Sequence, residues 1–432
     1  MKRIVFFLLL VTSLPTVQGQ TIKEEIKKNL RLSASNFLAY MGPQKKLTPA
    51  PKGMKPFYIS HYGRHGSRYL TNSYEYDYPY NVLRHADSLG RLTPLGKNVL
   101  ERLRIIREDA QGRLGELTLL GAEQHKQIAR RMFERFPEVF EDDAHIDAKS
   151  TVVIRCILSM ENALQQLLIM NPRLQISHDA SSHDMYYMNL SDPALWSRKT
   201  ELDASGPFLD FCMRHDRSES LMSRLVNDTS LIRNELNPTR FAYTFFKVAS
   251  NIQNTELRKH LTLYDVFTDD EIYSNFLREN ARFYMGFANC PLNGGDQPFS
   301  QRNLLRRIIE EADSCIKLGR PCASLRFGHE TMVLPLVCLL DLNNYGIQIA
   351  DVEQIDRKGW AGYRIFPMAA NLQFVFYRSF PSDKDVVFKV LLNEDEATLP
   401  IKTNMAPYYR WSDFRDYYLK KLDSYQELPT MD

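Results

Sequence analysis

Histidine, arginine and one glutamate gather at three points of the sequence, each directly after a predicted strand. The first is Arg64-His65-Gly66-Ser67-Arg68, the second is Arg155, and the third is His329-Glu330. Because the carboxyl ends of parallel strands meet at one edge of a sheet, we expect these side chains to share one crevice. A crevice with three guanidinium groups and two imidazoles attracts a dianion, and guanidinium groups match phosphate oxygens with paired hydrogen bonds. The sequence therefore predicts a pocket for a phosphate or sulfate group.

A histidine in such a pocket can react as well as bind. Neighbouring cations lower its pKa, so that one ring nitrogen stays unprotonated and can attack phosphorus. The phosphohistidine formed would then be hydrolysed by water. Glu330, next to His329, is the candidate acid that protonates the leaving alcohol. The arginines already offset the charge of the transferring phosphoryl group, so we expect no metal and no other cofactor.

These residues carry a resemblance to a known family. Arg64-His65-Gly66-Ser67-Arg68 resembles the R-H-G-x-R signature of the histidine phosphatase superfamily, branch 2, which contains histidine acid phosphatases, phytases and multiple inositol polyphosphate phosphatases. Further segments resemble the family's motifs in the same order, over roughly residues 50–400: Leu117-Thr118-x-x-Gly121-x-x-Gln124, Ser150-Thr151-x-x-x-Arg155-x-x-x-Ser159-Met160, and Phe327-Gly328-His329-Glu330-Thr331. Thr331, Leu334 and Pro335 bring the last segment closest to the multiple inositol polyphosphate phosphatase-like proteins.

The resemblance implies a role for each matched residue. His65 would be the nucleophile, and Glu330 the proton donor. The phosphoryl group would be bound by Arg64, Arg68, Arg155 and His329. Two positions depart from the family pattern. Leu70 stands where most of the branch has proline, and the acid is a glutamate directly after the histidine, where the family has aspartate or places glutamate one residue later. The extra methylene moves the acid by about 1.5 Å.

The implied activity is hydrolysis of small-molecule phosphomonoesters, with inositol polyphosphates as one candidate substrate class. Inositol hexakisphosphate would call for further cations at the pocket rim, for which Lys52, Lys55 and Arg326 are candidates. Three alternatives stay open: a broad-specificity acid phosphatase, a catalytically weak homologue that binds a phospholigand, and a phosphomutase with the same nucleophile. The sequence does not choose the natural substrate, the positional specificity or the pH optimum.

The elements that must position these residues predict an α/β fold. Strands are predicted at 57–61, 150–155 and 323–327, followed by a hairpin of 372–377 and 386–392. Segments 207–225, 240–258, 268–288 and 299–317 have helical patterns. We therefore predict a three-layer α/β core with a central, mostly parallel sheet plus an inserted all-helical domain. The predicted limits are 20–189 and 319–432 for the two parts of the core and 190–318 for the insertion.

Composition and the amino terminus bear on partners and location. The 432 residues are 44% hydrophobic and 25% charged, and Lys+Arg 55 against Asp+Glu 52 gives a net charge of +3, which argues against a nucleic-acid partner recruited by bulk basicity. Lys2-Arg3, the apolar run 4–14 and Val17-Gln18-Gly19 are typical of a cleavable signal peptide over 1–19. We expect a periplasmic or secreted mature protein with no membrane attachment. Its oligomeric state is not determined by the sequence.

Several cysteines and histidines outside these motifs have ordinary explanations. Six cysteines allow up to three disulfides, whose pairing the sequence does not choose, and no C-x-x-C occurs. The histidine- and aspartate-containing segment 177–184 resembles a metal site, but a solvated loop is the favoured interpretation. We expect His125 on a solvated or half-buried helix face.

Overall fold

The computed structural model describes residues 21–189, 192–203, 206–383 and 386–426. The predicted signal peptide at 1–19 lies outside the described residues. So does residue 190, where we placed the start of the helical insertion. The domain limits therefore stay a prediction.

One eight-stranded sheet forms the centre of the molecule, in the order β3-β2-β4-β1-β5-β6-β7, with β8 also paired to β6. The strands are β1 (Lys55–Arg64), β2 (His145–Ser150), β3 (Gln175–Asp179), β4 (Cys322–Gly328), β5 (Asn371–Arg378), β6 (Val387–Leu392), β7 (Asp395–Ala397) and β8 (Tyr409–Arg410). The four neighbours β3, β2, β4 and β1 are parallel, and β6 shares their direction because it is antiparallel to β5, which is antiparallel to β1. Five of the eight strands thus run the same way, as the predicted mostly parallel sheet requires.

Helices surround the sheet on both sides. They are α1 (Ile22–Lys28), α2 (Ser73–Ser88), α3 (Pro94–Asp109), α4 (Leu119–Arg135), α5 (Ile154–Met170), α6 (Met185–Met188), α7 (Pro193–Asp203), α8 (Gly206–Arg214), α9 (Ser218–Leu225), α10 (Thr229–Asn234), α11 (Pro238–Asn251), α12 (Asp269–Phe287), α13 (Arg302–Leu318), α14 (Glu330–Leu340), α15 (Gly362–Ile365) and α16 (Trp411–Asp423). Short 3₁₀ segments connect them, the longest at Leu30–Phe37. No helix among these described residues is long and apolar enough to cross a membrane.

Alternating side chains of the strands build a core on each face of the sheet, which gives the three layers. On one face, Tyr58 and Phe376 pack with residues of α13, α14 and α16. On the other, Ile59 and Val375 pack with residues of α4 and α5. Neighbouring residues of one strand point to opposite faces, so a strand buried on both sides carries an almost continuous apolar run. The predicted α/β class is confirmed.

The helices between β3 and β4 have a core of their own. In the described part of 185–318, the regular elements are all helical. Residues of α9, α11 and α12 pack there against α2 and α3, and Phe241 and Phe245 of α11 are fully buried. The helical patterns at 207–225, 240–258, 268–288 and 299–317 therefore correspond to α8 and α9, to α11 with the 3₁₀ turns after it, to α12 and to α13.

Two local predictions are wrong. A strand is expected at 150–155, but the observed strand β2 ends at Ser150. Arg155 lies in the first turn of α5. The β-branched residues at 151–153 favour a strand, but β4 ends at Gly328, so β2 has no partner strand to pair with beyond the Ser150–Phe327 register. The predicted loop 177–184 begins as the edge strand β3, which pairs with β2.

Candidate functional site

The loop after β1 is held at the carboxyl edge of the sheet by its neighbours. Arg64 lies opposite Gly328 in the parallel register of β1 and β4. The backbone N–H of His65 donates to the Gly328 carbonyl at 2.9 Å, and the N–H of Ala369 donates to the His65 carbonyl at 3.0 Å. The position of His65 is thus fixed by β4 on one side and by the segment before β5 on the other.

Two glycines allow α4 to approach this loop closely. A Cβ on Gly66 would lie 2.6 Å from the Gly121 Cα, and a Cβ on Gly121 would lie 2.8 Å from the Ser67 nitrogen. Thr118 caps α4 by accepting from the Gly121 N–H at 3.2 Å, as its sequence position predicts. From the second turn of α4, Gln124 accepts a hydrogen bond from the Ser67 N–H at 2.8 Å. The L-T-x-x-G-x-x-Q spacing therefore locks the backbone on which His65 sits.

His65 is neutral and has one free ring nitrogen. Its Nδ1 lies 2.9 Å from the Gly66 carbonyl, which can only accept, so Nδ1 carries the proton and Nε2 carries the lone pair. Nε2 is buried with no hydrogen-bond partner among the described residues. Burial, followed by the charges of Arg64, Arg68 and Arg155, lowers the pKa of His65 well below its usual value. The imidazole can act as a nucleophile through Nε2.

Three arginines, Arg64, Arg68 and Arg155, lie close enough to His65 for their charges to lower its pKa. Arg64 is fully buried and donates through Nη1 to the carbonyls of Asn36 and Phe366, at 2.6 and 2.8 Å. The Arg64 Nη2, the Arg68 Nε and the Arg155 Nε are buried without a hydrogen-bond partner in the described chain. Burial lowers the pKa of Arg64 to about 10, so its guanidinium stays charged at neutral pH. Buried donors of this kind match the oxygens of an anion.

His329 closes the site opposite His65. The two rings lie 5.7 Å apart between centroids, at 72°. Thr151 Oγ1 lies 3.2 Å from His329 Nε2, and Cys156 Sγ lies 3.7 Å from the same nitrogen. Burial lowers the pKa of His329 to about 4, and the nearby arginines lower it too, although Glu330 opposes them. His329 is therefore a neutral hydrogen-bonding group above that pH.

Glu330, the first residue of α14, lies between Arg64 and His65. Its Oε2 is 3.0 Å from Arg64 Nε and 3.7 Å from His65 Nε2. Burial raises the pKa of Glu330, but Arg64, Arg68 and His329 together hold it at about 2. The carboxyl group is therefore ionised when the pocket holds no anion.

His65, His329 and Glu330 also have the spacing of a metal site. One ligand atom from each lies within 4.8 Å of the others. The charges of Arg64, Arg68 and Arg155 act on the same groups, and they repel a cation while they attract an anion. The expectation that no metal takes part stays a prediction.

The structure brings all six predicted site residues together: Arg64, His65, Arg68, Arg155, His329 and Glu330. Two of the three rim candidates, Lys55 and Arg326, lie elsewhere. Lys55 begins β1 and Arg64 ends it, which separates them by about 30 Å. Arg326 is buried in β4 and ion-paired with Glu311.

Sequence reasoning missed several supporting residues. Asn254, from a 3₁₀ turn after α11, accepts from the Ser67 hydroxyl at 2.7 Å, and nothing in its local sequence indicates this. Ser159 accepts from the Gly66 N–H at 3.1 Å, and its place in the Ser150–Met160 motif was the available signal. His125 is buried against Phe327, contrary to the expected solvated or half-buried face.

No family model and no curated protein matches the chain. Among solved structures, the Bifidobacterium longum multiple inositol polyphosphate phosphatase in complex with phosphate is similar at a TM-score of 0.73 and 18% identity, covering 92% of this chain and 99% of that one. The phytase of D. castellii gives 0.68 at 12% identity (92% and 86% covered), and the Hafnia alvei phytase in complex with myo-inositol hexakis sulphate gives 0.52 at 13% (88% and 100%). The chain thus has the fold of these phosphatases, an α/β core with a helical part.

Proposed function

We propose that this chain is a phosphomonoester hydrolase that works through a phosphohistidine on His65. The observation that carries the proposal is the buried, unprotonated Nε2 of His65, on a ring that lies near three charged arginines and has a carboxylate 3.7 Å away. The guanidinium groups would hold the three non-bridging phosphoryl oxygens and stabilise the charge that builds up on them. His329 would donate a further hydrogen bond to the same group.

The first step transfers the phosphoryl group. His65 Nε2 attacks phosphorus, the N–P bond forms, and the bond from phosphorus to the ester oxygen breaks. The leaving alkoxide takes a proton from the Glu330 carboxyl group. In the second step a water gives its proton to the Glu330 carboxylate and attacks phosphorus, the N–P bond breaks, and inorganic phosphate leaves.

The proton on Glu330 must arrive with the substrate. The carboxyl group is ionised in the free site, because Arg64, Arg68 and His329 hold its pKa at about 2. A bound phosphate offsets the charge of these arginines, which raises the pKa of Glu330. A phosphomonoester monoanion then supplies the proton, and the guanidinium groups stabilise the resulting dianion. The site is therefore matched to a substrate that carries one proton on its phosphate.

Phosphate release from p-nitrophenyl phosphate, with EDTA present and between pH 4 and 8, tests the proposal. We expect turnover by the wild type and its loss in His65→Ala. A radiolabelled phosphoenzyme, stable to base and labile to acid, should accumulate on rapid quenching and be missing from His65→Ala. His178→Ala, at an exposed histidine on β3, is the matched control and should keep both signals.

Tight phosphate binding without turnover in calorimetry would instead identify a non-catalytic binding protein. Transfer to a second sugar hydroxyl would identify a phosphomutase.

Inositol polyphosphates are one candidate substrate class. The support is the shared fold. The chain is similar in structure to phytases, and also to a multiple inositol polyphosphate phosphatase that was solved in complex with inositol hexasulfate. Incubation with inositol hexakisphosphate and chromatographic separation of the product isomers tests this class, which release of phosphate at a rate comparable to that from aryl phosphates would support. A broad-specificity phosphatase is the second candidate. It is favoured by the distance of Lys55 from the pocket and by the burial of Arg326.

We also propose that the protein acts in the periplasm or outside the cell. The support is the signal-peptide pattern of residues 1–19. Amino-terminal sequencing of the protein exported by its own host should begin at Gln20, and an intact amino terminus at Met1 would contradict export by cleavage.

A further inference from the structure

Five exposed apolar side chains lie in the two segments that border the phosphate pocket. We call them the apolar rim: Leu114, Leu119, Val152, Ile154 and Leu158, which are between 42% and 74% exposed. The two segments, 114–119 and 152–158, hold six and seven residues, yet they carry five of the eighteen exposed large hydrophobic side chains in the described chain. Concentration of exposed apolar surface at one place indicates a binding surface.

The segment 114–119 is attached to the pocket by direct contacts. Thr118 donates through its backbone N–H to the Ser67 carbonyl at 2.9 Å, next to the reactive loop. A Cβ on Gly115 would lie 3.6 Å from Arg155 Nη1. Leu114 and Leu119 thus directly flank residues that contact the phosphate-binding groups.

The segment 152–158 borders the pocket from the other side. Thr151 precedes the segment, and its Oγ1 lies 3.2 Å from His329 Nε2. Ser159 follows the segment and accepts a hydrogen bond from the Gly66 N–H. Ile154 and Leu158 are four residues apart on α5, so they share one face of that helix, beside Arg155. Helices α4 and α5 pack closely along their lengths and both begin at the pocket, which places Leu119 and Ile154 at adjoining helix starts.

The rim is apolar and almost uncharged. Its segments contain two charged side chains: Arg155, which faces the phosphate site, and Glu116, which is ion-paired with Arg113 at 2.9 Å. Further phosphate groups on a substrate would therefore meet hydrocarbon here. An apolar alcohol would remove that hydrocarbon from water, which is favourable in proportion to the area buried.

We infer that the apolar rim binds the hydrocarbon part of a phosphomonoester, so that the site hydrolyses alkyl and aryl phosphates with apolar leaving groups. This inference rests on the proposed function, and it names the substrate class that the described surroundings of the pocket select.

A series of n-alkyl phosphates from ethyl to octyl, below their micellar concentrations, tests the inference. Each methylene that becomes buried should raise kcat/KM by up to about fourfold. The ratio of kcat/KM for octyl phosphate to that for ethyl phosphate should therefore exceed tenfold in the wild type. The double variant Leu119→Ser/Ile154→Ser should reduce this ratio at least fivefold. Because the ratio is taken within one protein, a general loss of activity cancels.

Ile169→Ser is the matched control. Ile169 lies on the same helix and is as exposed as Ile154, but it is fifteen residues later, about 22 Å along the axis. This variant should keep the wild-type ratio. Calorimetry with alkylphosphonates of the same lengths reports rim binding independently of turnover, and affinity should rise with chain length.

The outcomes separate the rim from the reaction. Hydrolysis of ethyl phosphate with no dependence on chain length overturns the inference and leaves the proposed function standing. No hydrolysis of any ester, with phosphonate affinity rising along the series, overturns the proposed function and supports the rim. If the double variant keeps its chain-length ratio but loses a dimer seen by analytical ultracentrifugation, the rim is a contact between protein copies and the inference is wrong.

Discussion

At the residue scale, the charge of Glu330 depends on what occupies the pocket. Its Oε2 lies 3.0 Å from Arg64 Nε and 3.7 Å from His65 Nε2, and burial alone would favour its protonated form. The two arginines and His329 reverse that preference in the free site. A bound phosphate offsets the positive charge of the arginines, and this favours the protonated form of Glu330 again. Glu330 is thus suited to change its protonation state in each step of the proposed reaction.

Replacing the acid should affect substrates according to their leaving groups. Glu330→Gln removes the proton that an alkyl leaving group needs, so kcat for an alkyl phosphate should fall by about 10²–10⁴-fold. The p-nitrophenolate group leaves without protonation, so kcat for its phosphate should fall by less than tenfold. Steady-state kinetics on both esters measures the difference. Glu123→Gln, at an exposed position on α4, is the control. Equal losses on both esters would remove Glu330 as the acid.

The same charge state sets the pH dependence of kcat/KM. Without a ligand, the protein has an ionised Glu330 and a neutral His65, because the pKa of the first is about 2 and that of the second is well below its usual value. In the proposed mechanism the reactive complex needs the proton of the substrate monoanion, whose second pKa is about 6. We expect kcat/KM to rise as pH falls from 8 to 6 and to level off below 6. A kcat/KM that increases from pH 6 to 8 would contradict this assignment.

At the scale of elements, the contact between α4 and the loop after β1 decides whether the site forms. Gly121→Ala would place a Cβ 2.8 Å from the Ser67 nitrogen and 2.7 Å from Leu117 Cδ1. The loop must move away, and a displacement near 1 Å in an active site costs about 10²-fold in rate. We expect kcat/KM to fall by about that factor and the melting temperature to decrease. Gly206→Ala is the control, because a Cβ at Gly206 meets nothing within 4 Å. Unchanged kinetics in Gly121→Ala would show that the loop does not depend on this contact.

Local sequence patterns predict the helices and strands well where neighbouring residues of the sequence determine the structure. Thr118 caps α4, the strands near 57–61 and 323–327 exist, and the hairpin of β5 and β6 is antiparallel as expected. They fail where a distant partner decides. Val152 and Val153 favour a strand, yet β4 has ended beside them. Asn254 reaches Ser67 across 187 residues, and no local periodicity reports such a contact.

At the scale of the whole molecule, four buried neutral histidines make the folded state less stable in acid. Burial lowers the pKa of His61 to about 3, and it lowers that of His125 and His329 to about 4. His65 shifts in the same direction. In the unfolded chain these groups titrate near 6.5. Between about pH 6.5 and 4 the unfolded state therefore binds protons that the folded state does not, and the folded state loses stability as pH falls.

The free energy of unfolding should follow this linkage. Each such histidine contributes a slope of up to ~1.4 kcal/mol per pH unit, and four set an upper limit of about 5.5 kcal/mol per unit. Urea denaturation between pH 7 and 4.5 should show stability decreasing steeply below pH 6.5. His125→Gln removes one titrating group and should make the decrease shallower. A stability that is constant over this range would show that the imidazoles take up protons at the same pH in the folded and the unfolded protein.

The carbonyl groups that hold Arg64 come from Asn36 and Phe366, at opposite ends of the chain. The backbone of Ala369 and Ala370 also binds the segment of Arg64 and His65. A nascent polypeptide therefore has His65 early in translation but receives the last contacts of this loop only after about residue 370 has left the ribosome. Until then the Phe366 carbonyl and the backbone of Ala369 and Ala370 are missing, so the loop after β1 lacks the carboxyl-terminal contacts that orient it.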